Sequence, residues 1–278
     1  MFQAKLNFTS MKNFKTDRLK LIIASVLVAI TFNFQTATAQ EENESMSIWQ
    51  YRRVDNDKVN EFIERETKYW SKVAQKAIDE GKLGFWALFQ KIGGYDMPNS
   101  SNFLFINTFP KMPDYDQMGE IWNAQAVFPD VPMEDMETGS MGVNTSMIFV
   151  QSAGWTQVEG ANPEEDFRYL TMVYHNANDP AGLIAAENEI WAPFIKTAMD
   201  AGQTNQKAWG NARILSPTGE DIKFNTISYD IYPSLHDAVS QTWSGDLQTP
   251  DMTKIGEAEG NPRASVVYRI VMVVNSAQ

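Results

Sequence analysis

The chain has 278 residues, 43% apolar and 12% aromatic, enough for a substantial core and incompatible with wholesale disorder. It contains no cysteine, which excludes disulfides, thiolate metal sites, a cysteine nucleophile and a lipid-modified N-terminal cysteine. Its formal charge of −12 argues against nucleic acid or an anionic membrane surface as a partner.

At the N-terminus Lys5, Lys12, Lys15, Arg18 and Lys20 precede an apolar stretch from Leu21 to Phe32, followed by the small-x-small triplet Ala37-Thr38-Ala39. About a dozen apolar residues fall short of the roughly 20 that a transmembrane helix needs. Residues 1–39 therefore read as a secretory signal peptide, with Met1 or Met11 as the start. The mature protein is expected to be exported, periplasmic or extracellular, with no stable membrane insertion; an uncleaved anchor is the alternative. Losing five basic residues and one acidic residue takes the formal charge from −12 to −16.

The mature chain then reads as alternating strands and helices. Ile48 to Val54 is a short strand. Asp57 is a candidate N-cap for a helix whose apolar stripe is Val59, Phe62, Ile63, Trp70, Val73, Ala74 and Ala77. Gly81 and Gly84 stop that helix. Strands follow over Gly84–Ile92 and Asn102–Phe109, a helix over Asp114–Asn123, and a strand over Ser146–Gln151. Between the last two, the acidic stretch Asp130 to Glu137 lacks calcium-loop spacing and reads as a solvated loop or a lid. Thr156 to Asp166 reads as a linker. The order then starts again: a strand over Tyr169–His175, a helix capped by Asp179 with Pro180 in its first turn and running to about Ala201, strands near Lys207–Leu215 and Ile222–Ile231, a helix near Leu235–Trp243, and a last strand over Ser265–Val274.

The two runs also match residue by residue. Glu66-Thr67-Lys68-Tyr69-Trp70 matches Glu187-Asn188-Glu189-Ile190-Trp191 at an offset of 121, as Ala77 to Gly81 matches Ala198 to Gly202. Trp86 matches Trp209, Phe109-Pro110 matches Tyr232-Pro233 and Asp114 matches Asp237, all at 123, and Trp122 matches Trp243 at 121. So many matches in order indicate a duplication: a first unit over 40–155, a linker over 156–166 and a second unit over 167–278. A βαββαβ unit folds as a four-stranded antiparallel sheet with two helices on one face, a ferredoxin-like arrangement. Two such sheets cover each other's bare faces by closing into one barrel. The fold class expected is therefore α+β, with two tandem ferredoxin-like units forming an intramolecular α+β barrel.

In element order and duplication the sequence resembles the dimeric α+β barrel superfamily in a fused two-copy form, over about residues 46–276. That superfamily includes antibiotic-biosynthesis monooxygenase-like proteins, stress-responsive barrel proteins and several haem-binding branches. The resemblance implies the fold; an activity has to be argued from the site.

The clearest candidates for chemistry are Glu66 and Glu187, which the helical period places on the inner face one turn from Trp70 and Trp191. A carboxyl there is desolvated and suited to acid–base work; otherwise it is a boundary residue paired to Arg53 or Arg213. His175, at a strand end beside Tyr174, is a candidate base or haem ligand, or a plain polar end residue. The second histidine, His236, reads as a capping or surface residue. On the third strand of each unit, Phe103, Phe105, Asn107 and Phe109 match Thr226, Ser228, Asp230 and Tyr232. That face is mostly apolar in the first unit and mostly polar in the second, which fits a pocket in the second or drift on a half-exposed face. Trp70, Trp86, Asn107, Trp191, Trp209, Asp230 and Tyr232 are the expected ligand-binding residues, with core packing as the alternative for the tryptophans. No HExxH, His-x-His, GxSxG, P-loop or dinucleotide motif occurs, and no metal site is expected.

Two functions fit these features. One is an exported barrel that binds an apolar or aromatic small molecule without turnover and without a cofactor. The other, implied by the resemblance, is a cofactor-independent monooxygenase-like or acid–base enzyme acting on an aromatic or polyketide-like molecule, with Glu187 and His175 handling protons; a haem-binding variant would use His175. An interaction scaffold is a third reading.

Overall fold

The computed structural model describes residues 45–94, 100–219, 222–245, 247–260 and 263–276. The signal peptide expected over residues 1–39 lies outside them. The chain runs β1 (Met46–Val54), α1 (Val59–Arg65), α2 (Ser71–Asp79), β2 (Phe85–Gly94), β3 (Phe103–Phe109), α3 (Tyr115–Ile121), α4 (Met133–Met136) and β4 (Gly142–Gln157). It continues through α5 (Pro163–Asp166), β5 (Tyr169–His175), α6 (Pro180–Ala186), α7 (Ala192–Asp200), β6 (Ala208–Ser216), β7 (Thr226–Tyr232), α8 (Leu235–Ser240), α9 (Thr253–Glu259) and β8 (Ala264–Asn275).

The eight strands close into one barrel in the order β1-β3-β2-β8-β5-β7-β6-β4, with every neighbouring pair antiparallel. Cut between β2 and β8 and between β4 and β6, the ring gives two four-stranded sheets of identical internal order. Closure removes the sheet edges that would otherwise template aggregation. β1 and β5 lie diametrically opposite, yet the Tyr51 and Tyr174 hydroxyls meet at 3.0 Å, and Tyr174 reaches Tyr268 at 3.4 Å. These side chains therefore fill the barrel lumen, and their alternate neighbours face the helices outside.

Each first helix is interrupted by one π-helical turn, Glu66–Trp70 between α1 and α2 and Glu187–Trp191 between α6 and α7. The Glu66 carbonyl accepts from Ser71 N–H, and the Glu187 carbonyl from Ala192 N–H. The extra residue shifts the apolar stripe, so Phe62 is buried before the turn, Glu66 at its first residue, and Val73, Ala74, Ala77 and Ile78 after it. Such turns recur at functional sites. Gly81 at φ 70° and Gly202 at φ 65° follow the two helices in the left-handed region that glycine adopts without strain.

Several elements depart from the sequence reading. Asp57 does not cap α1, whose N-cap is Lys58 with no side-chain cap bond. Asp179 does cap α6, accepting from Gly182 N–H at 2.9 Å. β4 continues past Gln151 to Gln157 because its second edge pairs with β6 from Phe149↔Ser216 to Gln157↔Ala208; closing the barrel lengthens the strand into the expected linker. α8 stops at Ser240, and α9 lies in a stretch with no expected helix. The acidic stretch before β4 is exposed along most of its length, as expected, but it is anchored at one point: Met136 is fully buried, and its carbonyl accepts from the Trp70 indole N–H at 2.8 Å.

Candidate functional site

Between the helices and the sheet, the two halves are filled differently. In the first, Trp86 pairs with Asn107 and Leu88 with Phe105 across β2 and β3. Phe62 rests on Phe103 and Phe105 at centroid distances of 4.7 and 6.1 Å, and Trp86 lies 6.1 Å from Phe105. Burying a phenylalanine side chain is worth about 1.5–3 kcal/mol, so this layer is core. Glu66 is its polar exception, 4% exposed, accepting from the Thr138 hydroxyl at 2.7 Å. Burial pushes its pKa up to about 7, against the lowering effects of Thr138 and the Arg52 guanidinium. The basic neighbour is thus Arg52 rather than Arg53; Arg52 stacks over Phe62 at 5.5 Å and donates to the Thr138 and Gly139 carbonyls. Asn107 makes one long bond, 3.4 Å, to the Ile48 carbonyl.

In the second half the same register pairs Trp209 with Asp230 and Asn211 with Ser228 across β6 and β7. Glu187, 8% exposed, accepts from the Asn211 amide at 2.9 Å. Burial raises its pKa to about 7; the Asn211 bond opposes this, and the charges of Glu259 and Asp230 add to it. Asp230 accepts from Gln206 Nε2 at 2.7 Å and is likewise raised by burial to about 7. His175, 2% exposed, bridges Ser228 and Glu259: Nε2 lies 2.8 Å from the serine hydroxyl and Nδ1 2.8 Å from the carboxylate. A carboxylate only accepts, so Nδ1 carries the proton and Nε2 accepts from Ser228. Burial lowers the pKa of His175, against the pull of Glu259. Glu187, His175 and Asp230 therefore share one helix–sheet layer, and the sign of each shift favours the uncharged form.

The remaining candidates are spread around this layer. Trp209 is buried against Ile195 and Met199. Tyr232 is buried, and its hydroxyl pKa is raised by burial and by Asp230. Trp191 is half-buried and joins Phe194 and Trp243 at 5.3 and 6.2 Å; Trp243 itself is 43% exposed. Trp70 and Trp86 belong to the packing of the first half, and His236 is exposed on α8. The sequence did not single out Glu259, Asn211, Gln206 or Thr138, each of which reaches its partner only through the tertiary fold. An open cleft over the first half is lined by Lys58, Arg65, Glu61, Glu134 and Glu137 and touches none of the candidate residues.

His175 does not fit the role of a haem ligand in this arrangement. Both ring nitrogens are engaged, and coordination would cost one of two buried hydrogen bonds. Among the described residues no group of three or more His, Asp or Glu side chains is placed to hold a metal ion.

The class defined by this architecture is a mixed α+β protein built on a closed eight-stranded antiparallel barrel, consistent with a ferredoxin-like α+β barrel. No family model and no curated protein matches the sequence. Solved structures do match. A protein described as a "putative monooxygenase" from Lactobacillus acidophilus NCFM superposes with a TM-score of 0.51 at 10% identity, over 83% of this chain and 96% of that one. An anthrone oxidase-like protein gives 0.48 at 13% identity, over 85% and 95%. A chlorite dismutase variant from Candidatus Nitrospira defluvii gives 0.44 at 10% identity, over 82% and 91%. The likeness to the first of these concerns the fold alone.

Proposed function

We propose that this chain is a tandem duplication whose second half has become an acid–base site for a small apolar or aromatic molecule, with Glu187 as the group that exchanges the proton and Asp230 as a second buried carboxyl beside it. The observation that carries the reading is the pair of carboxyls at about pKa 7 in one layer with an uncharged histidine. Among the described residues the first half holds one such carboxyl, Glu66, beside its aromatic packing. A base poised near neutrality abstracts a proton most effectively at neutral pH. On an aromatic carbon acid the resulting carbanion reacts with dioxygen without a cofactor, the monooxygenase-like chemistry of the second functional reading. Trp191, Trp209 and Tyr232 would hold the ring. The protein would act after export, once residues 1–39 are removed.

The test uses anthrone as the carbon acid and 1-naphthol as a non-reacting ligand. Saturable quenching of tryptophan fluorescence by 1-naphthol is expected, with an affinity that changes across pH 6–8. Glu187→Gln should abolish anthrone-dependent oxygen uptake and flatten the pH dependence. Unchanged uptake in that variant would remove Glu187 from the chemistry. Binding without turnover is the second reading, favoured by the internal partners that Asn211, Gln206 and Ser228 already supply; quenching with no oxygen uptake in the wild type would select it.

A further inference from the structure

The hydrogen bonds of His175 have a geometry that proton exchange at Glu187 does not need. Ser228 Oγ, His175 and Glu259 form an unbroken chain, 2.8 Å from hydroxyl to Nε2 and 2.8 Å from Nδ1 to carboxylate. That is the relation of nucleophile, base and orienting carboxylate, which is recognised by geometry and not by sequence position. Three separate elements supply the parts: β7 carries Ser228, β5 carries His175 and α9 carries Glu259. Val173 is the residue directly opposite Ser228 on β5, so His175 reaches it diagonally, two positions along.

A nucleophilic serine also needs donors for the oxygen on which charge develops. Two buried groups beside Ser228 have capacity to spare. Asn211 stands directly opposite it on β6, 0% exposed, with one amide hydrogen given to Glu187 and the other uncommitted. Thr226, two residues before Ser228 on the same strand face and 1% exposed, has a hydroxyl with no hydrogen-bond partner among the described residues. A buried polar atom left unpaired has given up its hydrogen bonds to water without replacement, a loss that a bound oxygen atom would make good. The first half has nothing equivalent, since Phe103 and Phe105 occupy the places of Thr226 and Ser228.

We propose that Ser228, His175 and Glu259 form an acyl-transfer site for small carboxylic esters, with Asn211 and Thr226 as the oxyanion donors. Ser228 Oγ attacks the ester carbonyl carbon while its proton passes to His175 Nε2. The carbonyl electron pair moves onto oxygen, where Asn211 and Thr226 donate to it. Collapse breaks the bond to the alcohol, which leaves with the proton from Nε2. Water then attacks the acyl-serine, giving its proton to His175; the serine oxygen leaves and is reprotonated from Nε2, releasing the acid. Glu259 is a positioning residue that holds the Nδ1–H tautomer. Of the three side chains Glu259 is the most exposed, at 20%, on α9, a seven-residue helix whose buried contacts with α6 run through Ile255 and Ala258 on Leu183 and Ala186.

The experiment treats the folded full-length chain with diisopropyl fluorophosphate and locates the adduct by intact mass and peptide mapping, alongside p-nitrophenyl acetate hydrolysis. One equivalent of phosphoryl group on Ser228 is expected, formed at least ~100-fold faster than on the same chain in denaturant. Ser228→Ala should lose the adduct and the hydrolysis. His175→Gln should slow labelling at least ~100-fold. Glu259→Gln should slow it at least ~10-fold, with Glu259→Asp recovering part of the loss, which a merely structural role would not give. Circular dichroism identifies any variant that fails to fold; Ser228→Cys, alkylated by iodoacetamide, then reads the same position in a chain of near-native volume. No adduct on folded wild type, labelling elsewhere only, or a Ser228 rate equal to that of the denatured chain would each overturn the proposal. None of these readouts involves Glu187, so the acid–base reading stands or falls separately.

Discussion

Replacing Glu66 by glutamine tests how the fold tolerates a buried carboxyl. The folded protein raises this group from 4.5 to about 7, mainly by burial. A raised carboxyl binds its proton more tightly in the folded state than in the unfolded one. Its contribution to stability is therefore fully present below the unfolded pKa and is lost as pH rises towards the folded value. At 1.36 kcal/mol per pKa unit, ionising Glu66 costs about 3 kcal/mol between pH 4.5 and 7. Glutamine keeps the acceptor for the Thr138 hydroxyl and cannot ionise, while Arg52 keeps its bonds to the Thr138 and Gly139 carbonyls. Urea unfolding of wild type and Glu66→Gln at half-unit steps from pH 4.5 to 8.5 is the assay. The two stabilities should coincide near pH 4.5 and diverge to about 3 kcal/mol in favour of glutamine above pH 7, a figure that already includes the attraction of Arg52 for the ionised carboxyl. Glu187 and Asp230 slope the same way in both proteins, so the difference curve isolates Glu66. Parallel curves, or a glutamine variant less stable at every pH, would refute the assignment of a desolvated carboxyl.

Gly142→Ala should destabilise the protein by roughly 3 kcal/mol or more, because an added Cβ would lie 2.1 Å from the Arg53 carbonyl oxygen, and backbone cannot step aside as a side chain can; a denaturation midpoint within error of wild type would contradict the β1–β4 approach. Tyr174→Phe removes the hydroxyl that bridges Tyr51 and Tyr268 across the lumen and should cost about 1–3 kcal/mol, read as a lower midpoint at unchanged m-value. The mature protein purified from a secreting host should begin at Gln40; an N-terminus upstream of Ala39 would retire the signal-peptide reading.

The parts of the fold that were legible are those written by local periodicity. The apolar stripe from Val59 to Ala77 specified a helix, and β-like runs separated by turn residues specified strands, because side-chain direction repeats every 3.6 or 2 residues whatever the rest of the chain does. Asp179 with Pro180 marked a helix start correctly, whereas Asp57 did not, since a capping residue must also arrive in the right backbone conformation and Lys58 took that place. The helical period also put Glu66 and Glu187 on the inner face, where both are buried. Their partners could not be read this way. Thr138 lies 72 residues from Glu66, and Asn211 lies 24 from Glu187, and no local spacing encodes such meetings. α9 escaped notice because it is seven residues long and buries only Ile255 and Ala258, too few apolar positions to show a helical period.

By itself the sequence determined the succession of the eight strands and of the helices that follow the first and third strand of each unit, the matched positions of the two Glu-to-Trp segments, and the change from Phe103 and Phe105 to Thr226 and Ser228. Those are properties of side-chain type and order along the chain. Only the tertiary structure decided that β2 joins β8 and β4 joins β6, that Tyr51 and Tyr174 meet across the lumen, and that Glu259 arrives beside His175 from 84 residues away. Contacts of that separation exist only once the barrel has closed, because closure is what fixes which strand ends and which helix share the same buried layer.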